Sequence, residues 1–470
     1  MLLDRIVSSV DEREEMLSAL ALDIWDHPQL ALDETYAAAE IKTVLADAGF
    51  TIESGVGGME TAFVARFGDE GPVVGTMGEY DALPELSQQP TAHREPVEPG
   101  APGHGCGHNL FGVGSLGAAL AVRDAIAAGE LTGSVIYFGT PAEEVGIGKP
   151  FMIRDGAFSD VDAIVSWHPG WFSAARKGSS LAVDSWEVTY NGVSAHAAAE
   201  PHAGRSALDA LQLANTGIEH MREHVPDATR IHYVIKEGGA APNVVPPVAR
   251  GEYLVRAPTR SQVEAISEWV TDIFEGAAMM ADVDVNIRKT AAAYNVLPNH
   301  ALGDLIVETM DELGGFSLSE SDQKLAAELK ASIGDVSDAI AQLPTEGAQQ
   351  NAQTQPLLTD PVAPNDVDKT GSYSTDSGDV SHVVPLGRMT TATFPVGTPL
   401  HSWQAVAASG SVGTNGMLYA AKTIGGALAT LLSEPTRIED AQNEFADRTA
   451  EIAYTSGLPD DVVPADLVDR

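Results

Sequence analysis

Two apolar segments without alternation set the terms for this fold: SVIYFGT at residues 134–140 and AIVSW at residues 163–167. A half-exposed strand alternates apolar and polar side chains. A run without alternation predicts a strand covered on both faces, as at the centre of a parallel sheet. Between the two, a glycine-rich bend and the segment PFMIRDGAF (150–158) supply a crossover helix. Strand, helix, strand is doubly wound α/β logic, and ligands in such folds gather beyond the carboxyl ends of the strands. Both segments end in polar chemistry: Glu143 and Glu144 follow the first, and His168, before Pro169, follows the second.

The flanking sequence fits that frame. Residues 10–49 carry helical apolar stripes, with Gly49 as a stop. Strands are predicted at 61–68 and 72–78, joined by a tight acidic-glycine turn, and a long loop covers 84–103. Glycines and alanines at helical spacing predict a tightly packed helix from Leu110 to Ala128. After about residue 185 the pattern changes to strand, helix, strand, strand, helix, strand, the split βαβ arrangement. Helices return at 300–314, 321–342 and 411–433, with a short strand at TATFPV and a polar loop over 345–370. The expected division is therefore 1–185, 186–298 and 299–470.

Charge excludes several classes of partner. The chain of 470 residues has 67 Asp and Glu against 27 Lys and Arg, a formal net charge of −40. Nucleic acid and anionic membranes would repel it. Apolar segments this long and periodic argue against disorder, so the acidity reads as adaptation to high salt, where the Debye length falls to about 3 Å. No run of 18 apolar residues predicts a membrane span. The acidic start MLLDRIVSSVDEREEML lacks the basic and apolar regions of a secretory signal, and a single cysteine permits no intrachain disulfide. The expectation is a halophilic cytoplasmic protein.

That cysteine lies in His104-Gly-Cys106-Gly-His108, where the x spacing puts Cys106 and His108 on one side of an extended segment. Thiolate is a soft ligand, imidazole suits zinc, iron or nickel and carboxylates suit hard ions, so the mixture points to a metal-dependent hydrolase. The plainer alternative makes Cys106 a buried small hydrophobe. An adjacent glutamate pair can divide its work, one coordinating metal and the other moving protons. His401, in PLHSW, has a similar polar loop setting. Ser194 and His196 lack the strained elbow of a serine nucleophile, and His196 reads better as a donor to a developing oxyanion.

At GHGCGHN (103–109), TPAEEVGIGKPFMIRDGAF (140–158), SWHP (166–169), SAHAAAEPHAGRSALDA (194–210), GGAAPNVVPPVARGEYLVRAP (238–258) and STDSGDVS (374–381), the chain resembles the M20 metallopeptidase and amidohydrolase family. The resemblance implies a zinc-peptidase-like catalytic domain, with two Zn or Mn ions, and an inserted ferredoxin-like (β-α-β-β-α-β) dimerisation and lid domain. It implies Cys106, His108, Glu144, His168 and His401 as metal ligands and Glu143 as general base. Asp81, in EYDALP, is implied to orient a ligand histidine. His196 is implied to reach across a homodimer, and Arg205 and Asn243 to contact substrate. The implied reaction is cleavage of the amide of p-aminobenzoyl-glutamate or a related N-acyl or N-aryl amino acid with a free carboxylate, with a related A-type subunit as a further partner. Alternatives are a dipeptidase or amidase of other specificity, and a catalytically silent metal-binding partner subunit.

Overall fold

The computed structural model describes residues 2–467, which fall into two compact units. Within the described residues the first comprises 2–178, 297–369 and 380–454, and the second 179–296, 370–379 and 455–467. In chain order the strands are β1 (Thr51–Ser54), β2 (Phe63–Phe67), β3 (Val73–Gly78), β4 (Ser134–Gly139), β5 (Ala163–Gly170), β6 (Ala174–Arg176), β7 (Ala182–Asn191), β8 (Arg230–Glu237), β9 (Val248–Ala257), β10 (Asp284–Ala293) and β11 (Leu386–Ala392).

The first unit is built on a seven-stranded sheet of order β1-β2-β4-β3-β5-β11-β6. Its centre, β4 to β11, is parallel, and antiparallel strands close both edges. All six residues of β4 are buried, as the unbroken apolar run requires. The turn at Asp69–Gly71 does not make a hairpin: β4 inserts between β2 and β3 and pairs with both. Helix His108–Ala127 lies over this sheet and packs against helix Gly413–Ser433. By length and composition it is apolar enough to cross a membrane, but 78% of its apolar window is buried, which makes it a core helix. Close approach explains its small residues: a Cβ on Gly114 would sit 2.7 Å from the Trp167 ring. The expected loop at 345–370 contains the helix Glu346–Thr354, whose Thr345 side chain accepts from Ala348 N. Its polar composition hid it. Helix Pro435–Thr449 is a further element that periodicity did not single out.

In the second unit β7 to β10 form an antiparallel sheet of order β10-β7-β9-β8. Helices Ala207–Met221 and Arg260–Ala281 pack on it around Tyr190, Tyr253 and Phe274. Ser206 and Thr259 cap their first turns, accepting from Asp209 N and Gln262 N. Buried Asp184 is held by Arg260 at 2.7 Å, Ser267 at 2.8 Å and Lys289 at 2.9 Å.

Candidate metal centre

Strand ends of the first unit deliver most of the site. β3 is followed at once by Glu79 and Asp81, β4 by Glu143 and Glu144, and His168 lies near the carboxyl end of β5. Cys106 and His108 do not alternate along an extended segment. Gly107 is left-handed (φ 79°), His108 opens the core helix, and a Cβ at 107 would lie 3.0 Å from Phe394 and Pro169. The turn brings the two side chains together where only glycine fits. His401 arrives on the loop after β11, at φ 58°, its N–H bonded to the Gly105 carbonyl at 3.0 Å.

Ligand-type atoms of Cys106, His108 and His168 lie within 4.8 Å of one another, as do those of Cys106, Glu144 and His401, and those of Glu79, His108 and Glu143. Shared members make these triads one cluster. Cys106 Sγ is 3.5 Å from His168 Nε2, and His401 Nε2 is 3.4 Å from Glu144 Oε2. His168 Nδ1 donates to the Pro169 carbonyl at 2.8 Å, which leaves the Nε2 lone pair toward Cys106. His108 Nδ1 donates to Asp81 Oδ1 at 2.7 Å, while Asp81 Oδ2 accepts from Glu144 N at 2.8 Å. One buried carboxylate thus ties an imidazole to the backbone of the glutamate pair. His104 is turned away, with Nε2 at 3.3 Å from the Ile24 carbonyl.

Three further charged residues at this site lie outside the expected set. Glu79 Oε2 stands 3.1 Å from His108 Nε2, and its Oε1 accepts from Lys149 Nζ at 2.7 Å. Glu34 accepts from Ala142 N at 2.9 Å, pinning that residue at φ 59°, a left-handed conformation unusual for a side chain with a Cβ. Period-2 spacing from Asp81 could have flagged Glu79; nothing local marks Glu34 or Lys149.

Burial and mutual repulsion shape the titration of the pocket. Burial, then the charge of Glu79, pushes Glu143 up to about 7; burial, reinforced by Glu143 and Asp81, pushes Glu144 up to about 8. Burial raises Glu34 to about 7, with Asp81 adding to it. It lowers His168 to about 3 and raises the Cys106 thiol to about 12. Burial alone would raise Asp81 and lower His108, but their contact overrides it, holding Asp81 below and His108 well above the ordinary value. A buried pocket of carboxylates that resist ionising lacks positive charge. Glu144 Oε1 and His108 Nε2 are buried without a hydrogen-bond partner. Thiol, imidazole and carboxylate donors with orphaned atoms fit divalent Zn or Mn.

The other expected residues lie in the second unit. His196 is exposed, and its Nδ1 accepts from Ala198 N at 3.2 Å and Ala199 N at 3.1 Å, so the ring proton sits on Nε2. Asn243 is exposed and its carbonyl accepts from Ala197 N at 3.0 Å. Arg205 Nε donates to Asp282 at 2.5 Å, and Nη1 reaches the Gly204 carbonyl at 2.8 Å.

Fold and site together define a metal-dependent amidohydrolase or peptidase. Residues 75–339 match peptidase family M20/M25/M40, and the chain is 36% identical over 473 residues to the B-type subunit of p-aminobenzoyl-glutamate hydrolase from Escherichia coli, covering 98% of each. The chain belongs to the M20 family. Its fold is also that of a dinuclear metal-binding M20 peptidase from Bacillus subtilis (TM-score 0.60, 17% identity, covering 90% of this chain and 99% of that one). An aminobenzoyl-glutamate utilization protein from Klebsiella pneumoniae is similar in the same way (TM-score 0.57, 18% identity, 86% and 96%).

Proposed function

We propose that this chain hydrolyses the amide bond of p-aminobenzoyl-glutamate or a closely related N-acyl amino acid. The observation that carries the reading is Glu143, a carboxyl raised to about 7 beside the metal-type cluster, where it can both take and return a proton near neutrality. Full-length similarity to the Escherichia coli hydrolase chain supports the substrate. In this reading Cys106, His108, Glu144, His168 and His401 hold two divalent ions. When bound, the ions polarise the scissile carbonyl and acidify water. Asp81 keeps the His108 proton on Nδ1, freeing Nε2 as a ligand. Glu143 removes the proton of the attacking water and delivers it to the departing amide nitrogen. His196, its proton on Nε2, donates to the carbonyl oxygen of a partner subunit's substrate. Asn243 helps to hold the substrate. Arg205 receives the substrate carboxylate by exchanging it for Asp282, its present partner.

The same reading makes the second unit a lid and dimerisation domain, with boundaries near residues 186 and 298, and allows a related A-type subunit as partner. It also places the enzyme in the cytoplasm of a cell rich in salt, for which the net charge of −40 is the support. The test is direct. Chelator-treated protein is reloaded with Mn²⁺ or Zn²⁺ in high salt and offered p-aminobenzoyl-glutamate, N-acyl amino acids and dipeptides. Metal-dependent release of p-aminobenzoate supports the reading. Loaded protein that cleaves none of the N-acyl or N-aryl amino acids overturns it.

A further inference from the structure

Lys149 is completely buried in the short helix Gly148–Arg154. A lysine without exposure is uncommon and persists only where its charge is matched. Its ammonium lies 2.7 Å from Glu79 Oε1, and Glu79 is itself only 1% exposed. The other oxygen of Glu79 stands 3.1 Å from His108 Nε2, and Glu143 Oε2 lies 4.0 Å from the same nitrogen. Yet His108 Nε2 forms no hydrogen bond, although the Glu79 oxygen stands within reach of it. The two atoms flank a common corner rather than bonding each other. A carboxylate placed there beside Asp81 and Glu143 would turn away from them unless something fixed its orientation.

We propose that Lys149 is a positioning residue of the metal centre: its ion pair aims Glu79 so that Oε2 faces the same corner as His108 Nε2 and helps to hold a cation there. The inference rests on reading the cluster as a metal centre, and it adds two residues to the set drawn from the sequence. Lys149 acts through one oxygen of Glu79, and the other faces the ion. This differs from simple neutralisation of buried charge, which would act on Asp81, Glu143 and Glu79 alike.

A double-mutant cycle separates the two. Lys149→Met keeps the apolar stem and removes the charge; Glu79→Gln keeps the shape and removes the carboxylate. Chelator-treated wild type, both single variants and the double variant are titrated calorimetrically with Mn²⁺, and melting of the metal-free proteins reports the fold. Each single variant is expected to bind one Mn²⁺ at least ~10-fold more weakly, the scale of outer-partner losses at metal sites. Lys149→Met is expected to add less than ~2-fold in the Glu79→Gln background, the signature of two groups acting as one. Should Lys149→Met fail to fold because Glu79 loses its ammonium, Glu79→Gln against the double variant carries the decision. Wild-type affinity in Glu79→Gln overturns the inference. So does a further tenfold loss on adding Lys149→Met to Glu79→Gln. Wild type that binds no Mn²⁺ or Zn²⁺ removes the metal-centre reading itself, whereas metal-binding wild type with unaffected variants removes only the role of Lys149 and Glu79.

Discussion

Replacing Asp81 by Asn probes the centre through a residue that need not touch metal at all. The two Asp81 oxygens each accept one N–H, from His108 Nδ1 at 2.7 Å and from Glu144 N at 2.8 Å. An asparagine has the same shape but a single acceptor oxygen. Its NH₂ must then oppose one of two donors in a pocket where Asp81 is 1% exposed. If the NH₂ faces His108, the ring relieves it by moving its proton to Nε2, and the atom proposed as a metal ligand loses its lone pair. If it faces Glu144 N, the backbone of the glutamate pair shifts. Either way a charge-assisted bond worth about 1.5–3 kcal/mol is lost. Changes to such outer partners cost about 10–100-fold in metal affinity, or about 1.4–2.7 kcal/mol. Calorimetric titration of chelator-treated Asp81→Asn with Mn²⁺ and Zn²⁺ measures this directly, and melting in chelator shows whether the fold survives. Wild-type affinity for both ions in a folded Asp81→Asn protein would refute the reasoning.

Glu143→Gln should keep its metal and lose about 10²–10⁴ in rate, whereas Glu144→Gln should also lose metal; equal metal loss, read by elemental analysis, contradicts the division of labour. Mixing inactive His196→Ala with inactive Glu143→Gln subunits should restore up to about half of one dimer's activity, since one site then has both groups intact; mixtures that stay dead after proven subunit exchange exclude action across the dimer. In metal-free protein Glu34, Glu143 and Glu144 titrate at about 7, 7 and 8, above the ordinary 4.5, so the folded state binds the extra protons. Their contribution is complete below about pH 4.5 and is lost as pH rises through 7 to 8, so chelated protein should melt lower at pH 8 than at pH 5; the opposite order rejects the assignment.

The sequence announced those parts of the site that sit beside a local signal. His168 and the glutamate pair follow unbroken apolar runs, and Cys106 and His108 share a glycine-rich loop that the structure turns into a helix start. Partnerships between distant segments were not legible in periodicity. The family resemblance alone implied that Asp81 orients a ligand histidine, without saying that it is His108, 27 residues on, and nothing joined Glu34 to Ala142 across 108. Charged residues that end up buried read locally as solvated ones, which concealed Lys149 and Glu79. Strand order had the same weakness: β2 and β3 are neighbours in the chain, but β4, some 56 residues beyond β3, lies between them. The polar segment holding helix Glu346–Thr354 lacked an apolar stripe, because only Ala348 and Ala352 of it are buried.

The glutamate pair hangs from β4, hydrogen-bonded on both sides and wholly enclosed. Amides in such a strand exchange with solvent only when the whole unit opens. The proposed base and its neighbouring ligand are therefore fastened to one of the most enclosed strands of the sheet. A slackened surface loop leaves the spacing of Glu143 and Glu144 untouched. A cavity cut beneath β4 has two effects at once, lowering the barrier to unfolding and moving the two carboxylates of the proposed site. For this enzyme, mutations in the centre of the sheet belong in the same class as mutations of the site.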